Sequence, residues 1–401
     1  MLKIKSLVSH YKKFISDISL NIIAATLPLA MLQLLIYPWI AKAIGGQEYG
    51  LMLTIYSLWI MVPNSMGNVL NNIKLLRQDD SGGDIALLLR QWTVAGFVVV
   101  FVFIWMYFGT FSVIHVVIGS FIAICILLKA YLEVGFRIKL DYTAVLINNI
   151  LLSVGYFIGF IAFKVTGIWE FVFLLGYLVS CVYCTVKTGL LRVPPCSTEL
   201  FASIKKDAYS LMAAGIIGNL INYADKLVLY PLMGGMAVSI YYTATILGKI
   251  TGMLTGPINS VILSYIARWD KSRTNVFTKV LSLSIVVCIV GYIVSLLLAR
   301  PVIGLLFPQW IEKVMDIIPL TTVTVMLGIL ASILNPFVLK YCKMQWQIGI
   351  NTIASIVYFG SALLLWNYMG LKGFCIGTII GALTKLLIIV VAYYRSVDKQ
   401  K

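Results

Sequence analysis

The chain has 401 residues, of which 61% are hydrophobic and 11% charged, whereas a water-soluble globule carries about a quarter charged residues. That balance, with a positive mean hydropathy, excludes a soluble domain. The formal net charge of +16 is spread over short loops, so it reads as membrane topology and attraction to anionic lipid, and nucleic-acid binding is disfavoured.

A hydrocarbon core of about 30 Å takes roughly 20 apolar residues per helix, and such runs recur from residue 16 to residue 394. Twelve spans are predicted: 16–44, 49–70, 91–109, 112–133, 142–164, 167–189, 208–233, 236–267, 280–299, 317–340, 347–367 and 371–394. The apolar run after the basic start "MLKIKSLVSHYKKF" is too long for a signal-peptide core and lacks a small-residue cleavage pattern, so it is expected to remain as the first span. In the cytoplasmic loops, "DIALLLRQW" after Asp84 is expected to be an amphipathic interfacial helix.

Counting lysine and arginine in the loops gives 23 on the side that holds both termini and five on the other. Positive charge marks the cytoplasmic side, which places both termini there. Lys226, Lys249 and Lys385 are left over, inside spans. The seven cysteines include a C-x-x-C at Cys181 and Cys184, but no second ligand pair accompanies it, and it is read as small-residue packing. No metal or cofactor is expected.

"LLIYP" (Leu34 to Pro38) closes the first span and "LVLYP" (Leu227 to Pro231) the seventh, and a second proline follows each, at Pro63 and Pro257. The halves read as copies offset by about 193 residues, although short apolar motifs also match by chance. An even number of spans per half makes the copies parallel repeats. The expected fold is an all-α polytopic membrane protein of about twelve transmembrane helices in two parallel six-helix bundles. The bundles are residues 1–190 and 208–401, joined by a cytoplasmic linker at 191–207. The outer loops leave no room for a catalytic domain, so the chain is expected to be a transporter and not an enzyme.

In the seventh span Gly215, Gly218, Asn219, Asn222, Asp225 and Lys226 recur at helical spacing on one face. An ion at mid-bilayer costs about 2.5–3.5 kcal/mol even on the gentlest scales, so that face must look at protein or water. Adjacent helix positions point about 100° apart, so Asp225 and Lys226 are expected to seek separate partners, although a self-compensating ion pair is the other reading. Lys249 lies beside the row Gly248, Gly252, Gly256, and Lys385 continues the row Gly373, Gly377, Gly381. Such rows bring helices into close contact, and the two are expected to present their lysines to one neighbourhood. Three cations against one anion suit an anionic ligand. In the first half, Glu133 and Glu170 fall near span ends, and Asn148, Asn149 and His115 are expected to be satisfied packing residues.

The stretches "AIGGQEYGLMLTIYS", "NYADKLVLYPLMGGMAVSIYYTATILGKI" and "LLFPQW" resemble the Wzx-type polysaccharide flippases of the multidrug/oligosaccharidyl-lipid/polysaccharide exporter superfamily, with Pro308 standing where relatives often have glycine. The resemblance implies a flippase in the cytoplasmic (inner) membrane that carries undecaprenyl-pyrophosphate-linked oligosaccharide units outward for O-antigen or capsule synthesis by alternating access of the two bundles. It implies Lys226, Lys249 and Lys385 as phosphate or sugar-acid contacts, Asn219 and Asn222 as sugar contacts, and Asp225 as the residue that sets the charge or orientation of Lys226. Implied partners are the lipid-linked oligosaccharide, membrane lipid and other polysaccharide-assembly membrane proteins. The alternative is a drug or cation antiporter of the same superfamily, which would be expected to carry a carboxylate deep in the first bundle. An enzyme would need acidic or arginine-rich outer loops, which are missing.

Overall fold

The computed structural model describes residue 20 and residues 23–77, 82–107, 113–252, 274–342 and 344–398, which are helices joined by turns, bends and short irregular links. Nine continuous helical stretches among them are long and apolar enough to cross a membrane. Three of these are broken by a glycine with non-helical torsions: Gly45, Gly234 and Gly370. Cutting there gives twelve rods: α1 (23–44), α2 (46–76), α3 (Gly82–Tyr107), α4 (Val113–Leu132), α5 (Tyr142–Thr166), α6 (Glu170–Thr188), α7 (201–233), α8 (235–252), α9 (Thr274–Leu306), α10 (Ile318–Tyr341), α11 (344–369) and α12 (371–398). Among the described residues the chain is an all-helical multi-pass membrane protein.

Local chemistry accounts for the rod ends. The Asp141 side chain accepts a hydrogen bond from the Ala144 amide at 2.9 Å and caps α5, which stops at Gly167 in the left-handed region. α2 bends at Val62, ahead of Pro63, whose ring and missing N–H disrupt the helical ladder. Gly45 (φ 78°, ψ 170°) and Gly234 (φ 77°, ψ 177°) have nearly the same torsions, which a side chain would strain. The twin corners support the internal repeat, with one shift. Pro38 and Pro231 are 193 residues apart but the corners only 189, so the first half spends about one extra helical turn before its corner.

α3 starts at Gly82, not near residue 91. Ile85, Leu88, Leu89 and Trp92 are buried with Ile73, Leu127 and Tyr131. The stretch after Asp84 is therefore the first turns of a spanning helix and not an interfacial one, because its apolar side has a protein core to enter. Asp84 accepts from the Thr198 amide at 2.7 Å and the Thr198 hydroxyl at 2.6 Å, and Arg77 pairs with Asp207 at 2.7 Å. The basic linker is thereby tied to α2 and α3.

By packing, the chain divides into two compact units, Met1–Ile40 with Met52–Pro231, and Ala41–Leu51 with Leu232–Lys401. The first unit holds a ring cluster around Phe173, made of Tyr37, Tyr56, Trp59, Tyr156 and Trp169. The second has an aromatic stack at Phe277, Phe337, Tyr341 and Tyr393, with Phe277 and Tyr393 face to face at 3.9 Å. It also gathers parts of the three stretches that carry the family resemblance, residues 43–51, 232–250 and 305–310. A Cβ on Gly50 would lie 1.9 Å from the Gly235 carbonyl oxygen, and one on Gly235 would lie 1.9 Å from that of Gln47. Ser239 donates to the Gly46 carbonyl at 2.5 Å. Tyr49 stacks on Trp310 at 5.6 Å and packs against Phe307.

Candidate functional site

Asp225 and Lys226 are buried, with side chains 9% and 4% exposed, and they pair with each other. The Lys226 ammonium donates to Asp225 Oδ1 at 2.8 Å, and so does the Lys226 backbone amide. The expectation that each would find a separate partner is overturned. Their Cα–Cβ bonds diverge, but the flexible lysine stem curls back along the helix. In a low-dielectric surrounding the nearest opposite charge dominates, because an uncompensated buried ion costs several kcal/mol.

The side chains of Asn219, Asn222 and Lys249 lie outside the described residues. The backbone of Asn219 and Asn222 belongs to α7, and that of Lys249 to α8. Gly256 and Pro257, which the glycine row and the repeat invoke, also lie outside them. Lys385 is half-buried on α12 and has no ion pair or hydrogen bond among the described residues.

Among the described glycines, Gly248 and the α12 row have different partners. Built Cβ atoms on Gly373, Gly377 and Gly381 would run into α11, at the Leu365 carbonyl oxygen (2.0 Å), Ala362 Cα (2.3 Å) and Tyr358 Cβ (2.5 Å). A Cβ on Gly248 would meet Val325 of α10 at 2.6 Å. Gly248 thus seats α8 on α10 and the α12 row seats on α11, while the shared neighbourhood expected for Lys249 and Lys385 falls outside the described residues. α10 touches both helices: Thr321 reaches the Ala244 carbonyl of α8 at 3.3 Å, and Thr324 meets Thr378 of α12 at 3.0 Å.

In the first unit Asn148, Asn149 and their polar neighbours are satisfied locally. Lys129 pairs with Glu133 at 2.9 Å, Asn148 donates to the same carboxylate at 3.0 Å, and Ser180 donates to Asn148 at 2.7 Å. Asn149 bonds the Val145 carbonyl. Cys181 and Cys184 are buried, and the Cys181 thiol reaches the Cys125 carbonyl at 2.9 Å. Sequence position undervalued Glu170. It opens α6 yet is only 1% exposed, and one of its oxygens lies 2.5 Å from His115 Nδ1. The only hint in the sequence was an acid beside a tryptophan at a span end.

No family model matches the chain, and no curated protein does. Solved structures do. An inward-facing MATE-family multidrug resistance transporter of the MOP superfamily superposes with a TM-score of 0.72 at 15% identity, covering 94% of this chain and 98% of its own. The lipid II flippase MurJ, in an inward closed conformation, superposes at 0.71 and 14% identity, covering 96% and 91%. The Vibrio cholerae MATE transporter VcmN in its bent form gives 0.57 at 12% identity, covering 99% of each chain. The chain shares the fold of these transporters.

Proposed function

We propose that the protein is a flippase that moves undecaprenyl-pyrophosphate-linked oligosaccharide units from the inner to the outer leaflet of the cytoplasmic membrane, for O-antigen or capsule synthesis, by alternating access. The observation that carries this reading is Lys385, a half-buried ammonium within a spanning helix that no acid among the described residues neutralises. Such a cation is costly unless an anionic group visits it, and a pyrophosphate or sugar acid is such a group. Likeness in fold to a lipid II flippase supports a lipid-linked cargo. In this reading Lys226 and Lys249 assist with the anion, Asn219 and Asn222 with sugar hydroxyls, and Asp225 holds Lys226 until cargo arrives. The six-plus-six division with 191–207 as linker, the cytoplasmic termini and contact with other polysaccharide-assembly membrane proteins belong to the same proposal.

A specific observation favours a second reading, a drug or cation antiporter. Sequence position gave the first bundle no deep carboxylate, and the structure buries Glu170 there. Export assays separate the two. In a strain lacking its own flippase, Lys385→Ala should abolish surface glycan at normal membrane abundance, while Lys385→Arg retains part of it. Wild-type glycan from the alanine variant would remove Lys385 from the site, and drug resistance conferred without any glycan export would favour the antiporter.

A further inference from the structure

The carboxylate of Glu170 is sealed from solvent at the start of α6, and α4, which carries His115, packs directly on that helix. Oε1 meets His115 Nδ1 at 2.5 Å, while Oε2 is buried and has no hydrogen-bond partner among the described residues. The indole N–H groups of Trp59 and Trp169 are also buried without partners among these residues, and their rings lie 6.3 Å apart in the cluster around Phe173. Trp169 precedes Glu170 in the chain. Trp59 reaches α4 at Gly119, one turn from His115, where a Cβ would lie 3.5 Å from its ring. Unsatisfied buried polar atoms are uncommon in native folds, and three in one cluster call for a physical reason.

Charge balance supplies one. A buried carboxylate must be neutralised or paired. Of the ionisable groups on the packed elements, Lys129 of α4 pairs with Glu133 at 2.9 Å, Lys187 lies in the last turn of α6 at its other end, the Lys164 ammonium of α5 lies over the rings of Trp39 and Phe160 at 4.9 Å each, and the ring cluster carries the phenols of Tyr37, Tyr56, Tyr156 and Tyr177. The described residues of α3 that face α4 here, such as Ile104 against Gly119, are apolar. Lys164 makes no ion pair with Glu170, which leaves His115 as the group that compensates the carboxylate. The two can do so only while they hold one proton between them, as imidazolium with carboxylate or as imidazole with carboxylic acid. His115, at 27% side-chain exposure, is the partner that water can reach.

We propose that His115 and Glu170 form a one-proton binding site at the end of the first bundle where α4 and α6 begin. The pair, with neutral imidazole and carboxylate, takes one proton from water through the imidazole and becomes an internally neutral imidazolium–carboxylate. Loss of that proton leaves a bare buried anion in a cluster whose two indole N–H groups have no partner among the described residues. The site is argued from its own geometry and holds whichever cargo the protein moves.

The test is a pH titration of tryptophan fluorescence on the purified full-length protein in detergent, since a protonated imidazole quenches a nearby indole. The wild type should show a one-proton transition that is lost in Glu170→Gln and in His115→Gln and that is shifted but retained in Glu170→Asp. Each variant is checked by size-exclusion chromatography. Should Glu170→Gln fail to fold, the titration of His115→Gln, whose side chain is partly exposed, decides. An unchanged transition in His115→Gln would overturn the proposal. So would an emission change driven by sodium chloride at fixed pH and abolished by Glu170→Gln, which would make this a metal-cation site. Insensitivity to sodium, with loss of the pH transition, is the result expected.

Discussion

Asp225 and Lys226 show how a charged pair survives inside an apolar helix. Each compensates the other at 2.8 Å, and breaking such a pair by removing one member costs about 3–5 kcal/mol, more than replacing both. A purely structural pair would therefore regain export when both are neutralised. In the ligand reading, Asp225→Asn keeps partial export, Lys226→Ala has none, and the double variant is no better than Lys226→Ala. Surface glycan measured with membrane abundance for the four proteins checks this, and recovery in the double variant would return the pair to a structural role. Asn148 tests the other buried network. It links Glu133 to Ser180, and Asn148→Ala should lower stability by roughly 1–3 kcal/mol by leaving both partners short of a bond, read as a lower melting temperature in detergent. Of these residues the sequence showed which were polar within spans. It did not show that Lys226 would turn back on its neighbour, because a rotamer choice answers to the dielectric around it.

At the scale of elements, the glycines fall into two kinds that substitution should separate. A Cβ on Gly45 meets nothing within 4 Å, so alanine there suffers only from the backbone conformation, a strain of about 1–2 kcal/mol. A Cβ on Gly50 would lie 1.9 Å from the Gly235 carbonyl oxygen, and backbone must move to admit it. Overpacking of this kind costs typically 1–3 kcal/mol and at times more. Gly50→Ala is expected to lower the melting temperature further than Gly45→Ala. Equal effects would mean that the corner yields more easily than its geometry implies. The corners were legible as Gly-Gly pairs beside a recurring Leu-x-x-Tyr-Pro, because turn chemistry is local. The partner of each glycine row was not legible, since small residues license a close approach without naming the helix that makes it.

For the whole molecule, orientation follows from loop charge, with 23 basic residues on one side and five on the other. Alkaline phosphatase fused after Gly235 should be active, and fused after Arg192 or Lys271 inactive. Activity after Arg192 would break the argument that six spans precede the linker. The linker itself is packed against the first unit through Asp84, Thr198, Arg77 and Asp207, so its fusion reports on an ordered segment.

The sequence by itself determined the helical membrane class, the course of the rods and the repeat, because bilayer thickness, periodicity and glycine or proline breaks act over a few residues at a time. Tertiary structure alone decided that "DIALLLRQW" enters a core, that Gly248 seats on α10 and that the α12 glycine row seats on α11. It also decided that Glu170, at a helix end, is sealed against a histidine 55 residues earlier. Each of these depends on which helices pack together, and packing depends on complementarity between distant surfaces that no local pattern records.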